Sequence, residues 1–251
     1  MDSKLKLLKE FYSGLPKDRA KVETSRHGFE FLETLLADGA VMEYGEMHRS
    51  GELHKYKLSH IPERRMDELL QSHIGKTSNV CLYFDDTASS LFCLNLDNNH
   101  KTGNTVLIPE MQLAMSLLRE RLSILGCEPL VIASGRGYHL WCRLDSAAEN
   151  KRIHDFMIRL VAMTLAGLHG KGYDYNHIKA NFYPDPRVRN TVSLRLFGSD
   201  HARNKVFSRI LGEEGLLDEE ASWAAFENHL RNKTISAVQL DEACRVVMAA
   251  F

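Results

Sequence analysis

Three observations predict an α+β fold for this chain. From Leu91 onward, short apolar runs of strand length alternate with two long segments whose apolar residues recur at helical spacing. The 251 residues suffice for one large core but leave little room for two unrelated domains, and 44% hydrophobic with 26% charged residues is an ordinary globular composition. The last forty residues turn acidic and helix-periodic rather than continuing as strands.

Taken in order, Ser3 to Tyr12 reads as a first helix and Gly28 to Ala37 as a second, with Leu32, Leu35 and Leu36 as its apolar stripe and Gly39 as its stop. Val41 to Lys57 is weakly patterned and reads as a hairpin or a loop; Ile61 to His73 reads as a helix and Val80 to Phe84 as a strand. The strand Leu91 to Asp97 precedes a helix that Pro109 opens and Gly126 closes, with Met111, Met115, Leu118 and Leu122 on one face. The strands Pro129 to Ala133 and Tyr138 to Leu144 are joined by SGRG. A helix from Ala147 to His169 carries Ile153, Met157, Leu160, Leu165 and Leu168, and strands at Thr191 to Leu196 and Lys205 to Leu211 follow.

This β-α-β-β-α-β order is the split arrangement of RNA-recognition-type folds, with strands one and three central and strand four antiparallel outside strand one. Helices at Glu219 to Arg231 and Ala237 to Ala249 close the chain, and the acids from Glu213 to Glu227 read as a solvated helical face. The expected architecture is therefore one unit, 1–251: an N-terminal α/β portion (1–88), an RNA-recognition-like βαββαβ module (89–212) and a helical C-terminus (213–251).

Thirty-two basic against 33 acidic residues give a net charge of -1, so any electrostatic message to a partner is local. Five scattered cysteines with no CxxC pair read as reduced thiols, and there is neither an apolar leader segment nor a membrane-length apolar run. A cytoplasmic protein without a membrane partner is expected.

Three clusters bear chemistry. In LNLD, Asn95 and Asp97 alternate on a strand and so share a face, a pair of oxygen ligands suited to Mg²⁺ or Mn²⁺; phosphoryl-transfer sites often hold two such ions about four ångströms apart. In SGRGYH, Ser134, Arg136 and His139 offer donors and positive charge to a triphosphate, and the glycines allow close backbone approach. From Pro186 to Ile210 the chain carries Arg187, Arg189, Arg195, Arg203, Lys205 and Arg209 against the single acid Asp200, a local patch for a polyanion, with Asp185 just before it. If Asp185 leads into strand four, topology delivers it towards Asp97.

Together these segments resemble the archaeo-eukaryotic primase superfamily, the primases and primase-polymerases. The match lies in a hydrophobic strand ending in hDhD (here LNLD), an SxxGxH-type hairpin (here SGRGYH), and a later DxxV with R-L-x-x-S-x-H/K (here Asp185-Pro-Arg-Val and RLFGSDH), in order over residues 80 to 211. The resemblance implies a metal-dependent, template-directed nucleotidyltransferase that makes or extends short primers in plasmid, phage or mobile-element replication. It implies Asp97 and Asp185 as metal-binding carboxylates of a two-metal Mg²⁺ or Mn²⁺ site, with Asn95 in the place of the first aspartate. Ser134, Arg136, His139, Arg195, His201 and Lys205 would hold the triphosphate, and Arg187, Arg189 and Arg203 the nucleic acid. The implied partners are a single-stranded DNA template, NTP or dNTP, and a helicase or other replication protein.

Asn95 departs from the pattern because an amide ligates without charge. Three explanations stand: an engineered inactivating substitution, a lineage in which another acid (Asp85 or Asp86) helps, or a chain that has lost catalysis and kept nucleotide or single-strand binding. The alternative function is thus a non-catalytic binding module of a replication or defence complex, with a nuclease third. No zinc knuckle or P-loop segment accompanies the motifs, so a catalytic core is expected, either part of a longer protein or working with separate partners.

Overall fold

The computed structural model describes residues 3–25, 29–47, 53–98, 109–124, 126–135, 137–176, 178–188, 193–201, 205–232 and 234–249. The fold is α+β, and the chain divides into two compact units, 1–85 with 190–208, and 86–189 with 209–251.

The first unit contains α1 (Ser3–Phe11), β1 (Ala20–Ser25), α2 (Phe29–Ala37), β2 (Val41–Met47), β3 (Leu53–Ser59), α3 (Glu63–Ile74), β4 (Ser78–Tyr83) and β9 (Ser193–Arg195). Its antiparallel sheet runs β2-β3-β1-β4-β9. Leu5, Leu8 and Phe11 of α1 and Met66, Leu69 and Leu70 of α3 are buried, as their helical spacing requires. The weakly patterned stretch 41–57 holds two paired strands, and β1 adds a strand that the sequence reading lacks. Its signal is alternation: Ala20, Val22 and Thr24 are buried, with the charged Lys21 and Glu23 between them.

The second unit contains β5 (Ala88–Asn98), α4 (Pro109–Ile124), β6 (Leu130–Ala133), β7 (Gly137–Glu149), α5 (Asn150–Gly170), β8 (Ile178–Tyr183), β10 (Arg209–Ile210), α6 (Glu219–Asn232) and α7 (Ala237–Ala249). The sheet order is β10-β6-β7-β5-β8, every pair antiparallel, so the βαββαβ module has its first and third strands central as expected. Phe92, Leu94 and Leu96 of β5 and Tyr138, Leu140 and Cys142 of β7 join Met111, Met115 and Leu118 of α4 and Ile153, Phe156, Met157 and Leu160 of α5 in one core. The helix expected from Ala147 starts at Asn150 because β7 runs on to pair Glu149 with Ala88. At the C-terminus, Trp223, Phe226 and Leu230 of α6 and Leu240 and Ala243 of α7 are buried, while Asp218 caps α6 by accepting the Ala221 N–H.

Strand four is not where the sequence reading put it. It is β8, IKANFY; among the described residues, Thr191–Leu196 contributes β9, on the edge of the first unit's sheet, and Lys205–Leu211 contributes β10, against β6. Residues 190–208 accordingly cluster with the N-terminal residues rather than with the module. The polar half of IKANFY disguises the strand: Ile178, Ala180 and Phe182 pack on the core, and Lys179 and Asn181, types depleted in strands, fill the alternate positions.

Candidate functional site

Because Leu94 and Leu96 face the helical core, Asn95 and Asp97 face away from it. The ladder then decides their neighbours, since directly paired residues of an antiparallel sheet point the same way. His139 of β7 pairs with Asn95 and Gly137 with Asp97; on the other side, Asn181 of β8 pairs with Asn95 and Lys179 with Asp97. One sheet face thus gathers Asn95, Asp97, His139, Lys179 and Asn181. The first three were legible in the sequence, whereas Lys179 and Asn181 were missed with their strand.

Asn95 is 6% exposed. Its Nδ2 donates to Asp97 Oδ2 at 3.2 Å, and its buried Oδ1 has no hydrogen-bond partner. An orphaned amide oxygen at such depth costs on the order of 1–3 kcal/mol, a cost that a ligand or cation supplying a partner would relieve.

The SGRG turn is tightly built. Ser134 N–H and Oγ–H both donate to the Gly137 carbonyl, at 2.8 and 3.2 Å, and Gly135 adopts φ +90°, where a side chain is strained. A Cβ on Gly137 would lie 1.9 Å from the Leu96 carbonyl oxygen. Both glycines are therefore needed to bring β7 against β5, and Ser134 already spends its hydroxyl on the turn. Arg136 lies outside the described residues.

Asp185 does not reach Asp97. Lys179 pairs with Asp97 and Tyr183 with Cys93, so β8 carries the chain roughly 13 Å away from Asp97 before Asp185 is reached. Asp185 follows the exit of strand four rather than its start, and this overturns the topological argument that joined the two carboxylates. Its carboxylate is instead clamped by Arg187: Oδ1 accepts the backbone N–H at 3.0 Å and Nε–H at 2.9 Å, and Oδ2 accepts Nη2–H at 2.7 Å. These bonds hold the carboxyl below the usual carboxylate range. His154 Nε2 stands 3.5 Å from Oδ1, too far for a good hydrogen bond, and burial lowers the His154 pKa so that the contact is not an ion pair. Arg187, expected to hold nucleic acid, is exposed but engaged with Asp185. Arg189 and Arg203 lie outside the described residues.

The remaining expected phosphate ligands belong to the first unit. Arg195 pairs with Cys81 in the β4–β9 ladder and is 9% exposed. His201 N–H donates to Val206 O and Lys205 N–H to His201 O, with Lys205 at φ +56°. Of the candidate substitute acids, Asp86 precedes β5 at the opposite end of the strand from Asp97, and Asp85 falls in the first unit.

A two-metal centre needs several carboxylates converging, and the face around Asn95 offers one, Asp97, with neutral amides and an imidazole beside it. Among the described residues no group of three or more His, Cys, Asp or Glu is gathered for a metal. The described residues do not fit the two-ion site that the resemblance implies.

No family model matches the chain, and no curated protein matches it significantly. Among solved structures it is similar to the polymerase domain from Mycobacterium tuberculosis ligase D in complex with DNA, at 14% identity and a TM-score of 0.49, over 99% of this chain and 87% of that one. It is also similar to the primase-polymerase domain of cyanophage S-2L (13% identity, TM-score 0.39, 88% of this chain and 96% of that one) and to primase RepB' (12% identity, TM-score 0.37, 98% and 68%). No helix of the described residues is long and apolar enough to cross a membrane.

Proposed function

We propose that this chain is a nucleotidyltransferase of the primase-polymerase type, which takes up NTP or dNTP and adds nucleotides opposite a single-stranded DNA template. The observation that carries the reading is the β5–β7 register, in which two segments 40 residues apart in sequence, LNLD and SGRGYH, meet with His139 across from Asn95 and Gly137 across from Asp97. The side chains of Asn95, Asp97 and His139 lie on the sheet face away from the helical core that Leu94, Leu96, Tyr138 and Leu140 help to form. In this reading His139 donates to phosphate oxygens, and Asp97 is the carboxylate facing the reacting phosphate. Replication of a plasmid, phage or other mobile element, alongside a helicase or other replication protein, is the setting that accompanies this reading.

A second reading is favoured by a specific observation. With Asp185 clamped by Arg187 and an amide at position 95, the acids required for catalysis are too few, and the face becomes a binding site for nucleotide or single-stranded nucleic acid.

The test is de novo and primer-extension synthesis on a single-stranded template with Mn²⁺, comparing the native chain with Asn95→Asp, Asp97→Ala and His139→Ala. Synthesis by the native chain that is lost in Asp97→Ala and His139→Ala supports the first reading. Synthesis only by Asn95→Asp identifies a disabled enzyme, whereas triphosphate binding with no product from either chain supports the binding module. Template degradation without extension points to a nuclease, and activity indifferent to both Asp97→Ala and His139→Ala removes the site altogether.

A further inference from the structure

The register that separates Asp185 from Asp97 puts a cation in its place. Lys179 is the β8 partner of Asp97, and Ile178, Ala180 and Phe182, its neighbours in alternation, pack on the core, so Lys179 shares the outward face with Asp97, Asn95 and His139. Directly opposed Cβ atoms in an antiparallel pair stand about 5 Å apart. Lys179 is exposed, and its long stem gives the ammonium several ångströms of reach from that position. The balance of charge on the face is therefore inverted relative to a two-metal centre: one carboxylate, two amides, an imidazole and a lysine.

We propose that Lys179 is a triphosphate-binding residue, and that its ammonium supplies beside Asp97 the positive charge that a second metal ion supplies in an all-carboxylate site. The inference rests on the nucleotide-binding reading of this face. The chemistry agrees on both sides. An acid-rich site needs two dications to accept a polyanion, and replacing an acid by Asn95 while setting a lysine opposite Asp97 removes that need in steps of unit charge. The orphaned Oδ1 of Asn95 fits the same picture: it accepts but does not repel, so a ligand group with a donor, or one cation, satisfies it without a second ion. The ligand class is a nucleoside triphosphate carrying at most one protein-held cation.

The experiment is equilibrium binding of a fluorescent ATP analogue to the full chain and to Lys179→Gln, Lys179→Arg, Lys179→Glu and His139→Ala, each checked by thermal melting. It is repeated with the di- and monophosphate analogues, and Mn²⁺ binding without nucleotide is read by electron paramagnetic resonance. Lys179→Gln is expected to weaken triphosphate binding about tenfold, with a smaller loss for diphosphate and least for monophosphate, while Lys179→Arg retains most of the affinity. Lys179→Glu, which sets a second carboxylate by Asp97, is expected to tighten Mn²⁺ binding in the absence of nucleotide. If the native chain binds triphosphate and His139→Ala weakens it while Lys179→Gln binds like the native chain, Lys179 is only a solvated lysine and the inference fails alone. An equal loss for all three phosphates also overturns it, because charge is then not what Lys179 contributes. If the native chain binds no nucleotide, the underlying reading fails with it.

Discussion

Gly137 illustrates how one residue sets the geometry of the whole face. Its absent side chain lets the first residue of β7 lie against the Leu96 carbonyl, where a Cβ would sit at 1.9 Å, and every pairing from Gly137 to Cys142 depends on that start. Gly137→Ala is expected to lower stability by about 1–3 kcal/mol, the range for overpacking a rigid site, and to weaken triphosphate binding further by moving His139 relative to Asn95. Urea unfolding with the binding assay checks both, and an alanine variant of native stability would mean that β7 is anchored elsewhere. The SGRG sequence suggests glycines that admit an anion; the first task of Gly137 is to admit the chain's own backbone. That Asn95 and Asp97 share a face is legible because alternation needs only the strand to be recognised, whereas which end of β5 His139 approaches depends on the β5–β7 register and is not legible in the sequence. Asp185 was misjudged because its position relative to Asp97 depends on which segment forms strand four, and local pattern does not reveal that.

Elements were legible in proportion to how cleanly their apolar residues repeat. α4, α5, β5, β6 and β7 carry strong periods, whereas β1 and β8 interleave apolar residues with Lys, Glu or Asn and lack the continuous run that marks a buried strand. The junction between α3 and β4 shows packing that no local pattern announces. His73, fully buried, accepts the Val80 N–H on Nδ1 at 3.0 Å, so its Nε2 carries the proton and donates to the Phe197 carbonyl at 3.1 Å. Burial first, and the Arg195 charge second, push its pKa down from 6.5 to about 3. Because the folded-state pKa lies below the unfolded one, the neutral ring contributes its full stability above about pH 6.5. That contribution is lost as pH falls towards 3, where charging Nδ1 breaks the bond to Val80. The expected outcome is a stability that declines through this window and a shallower decline in His73→Gln, measured by urea midpoints from pH 7 to pH 4. Parallel slopes for the two chains would show that other groups govern acid unfolding.

On the scale of the whole molecule, the chain leaves its first unit after residue 85 and returns to it for 190–208, so that unit cannot be completed by contiguous sequence. The returning segment is structural: Leu194, Leu196 and Phe197 are buried, β9 pairs with β4, Leu196 N–H donates to Val80 O, and Phe197 N–H donates to the Tyr12 hydroxyl. The RLFGSDH stretch, singled out in the sequence for its basic and phosphate-binding character, therefore also closes the hydrophobic core of the N-terminal sheet. Such a return was invisible in the sequence, because the pairing of β9 with β4 spans more than a hundred residues and is fixed by tertiary packing rather than by any local signal. A fragment of residues 1–85 is accordingly expected not to fold by itself. Without 190–208, β4 becomes an open edge, His73 loses its Phe197 acceptor, and the Tyr12 hydroxyl and the Val80 carbonyl lose the N–H donors of Phe197 and Leu196, each deficit falling on a group that is buried in the intact chain. Thermal melting by circular dichroism of the fragment should show no cooperative transition, while the full chain shows one. A fragment that melts cooperatively with dispersed amide resonances would show instead that β1 to β4 and the helices α1 and α3 suffice without the returning segment.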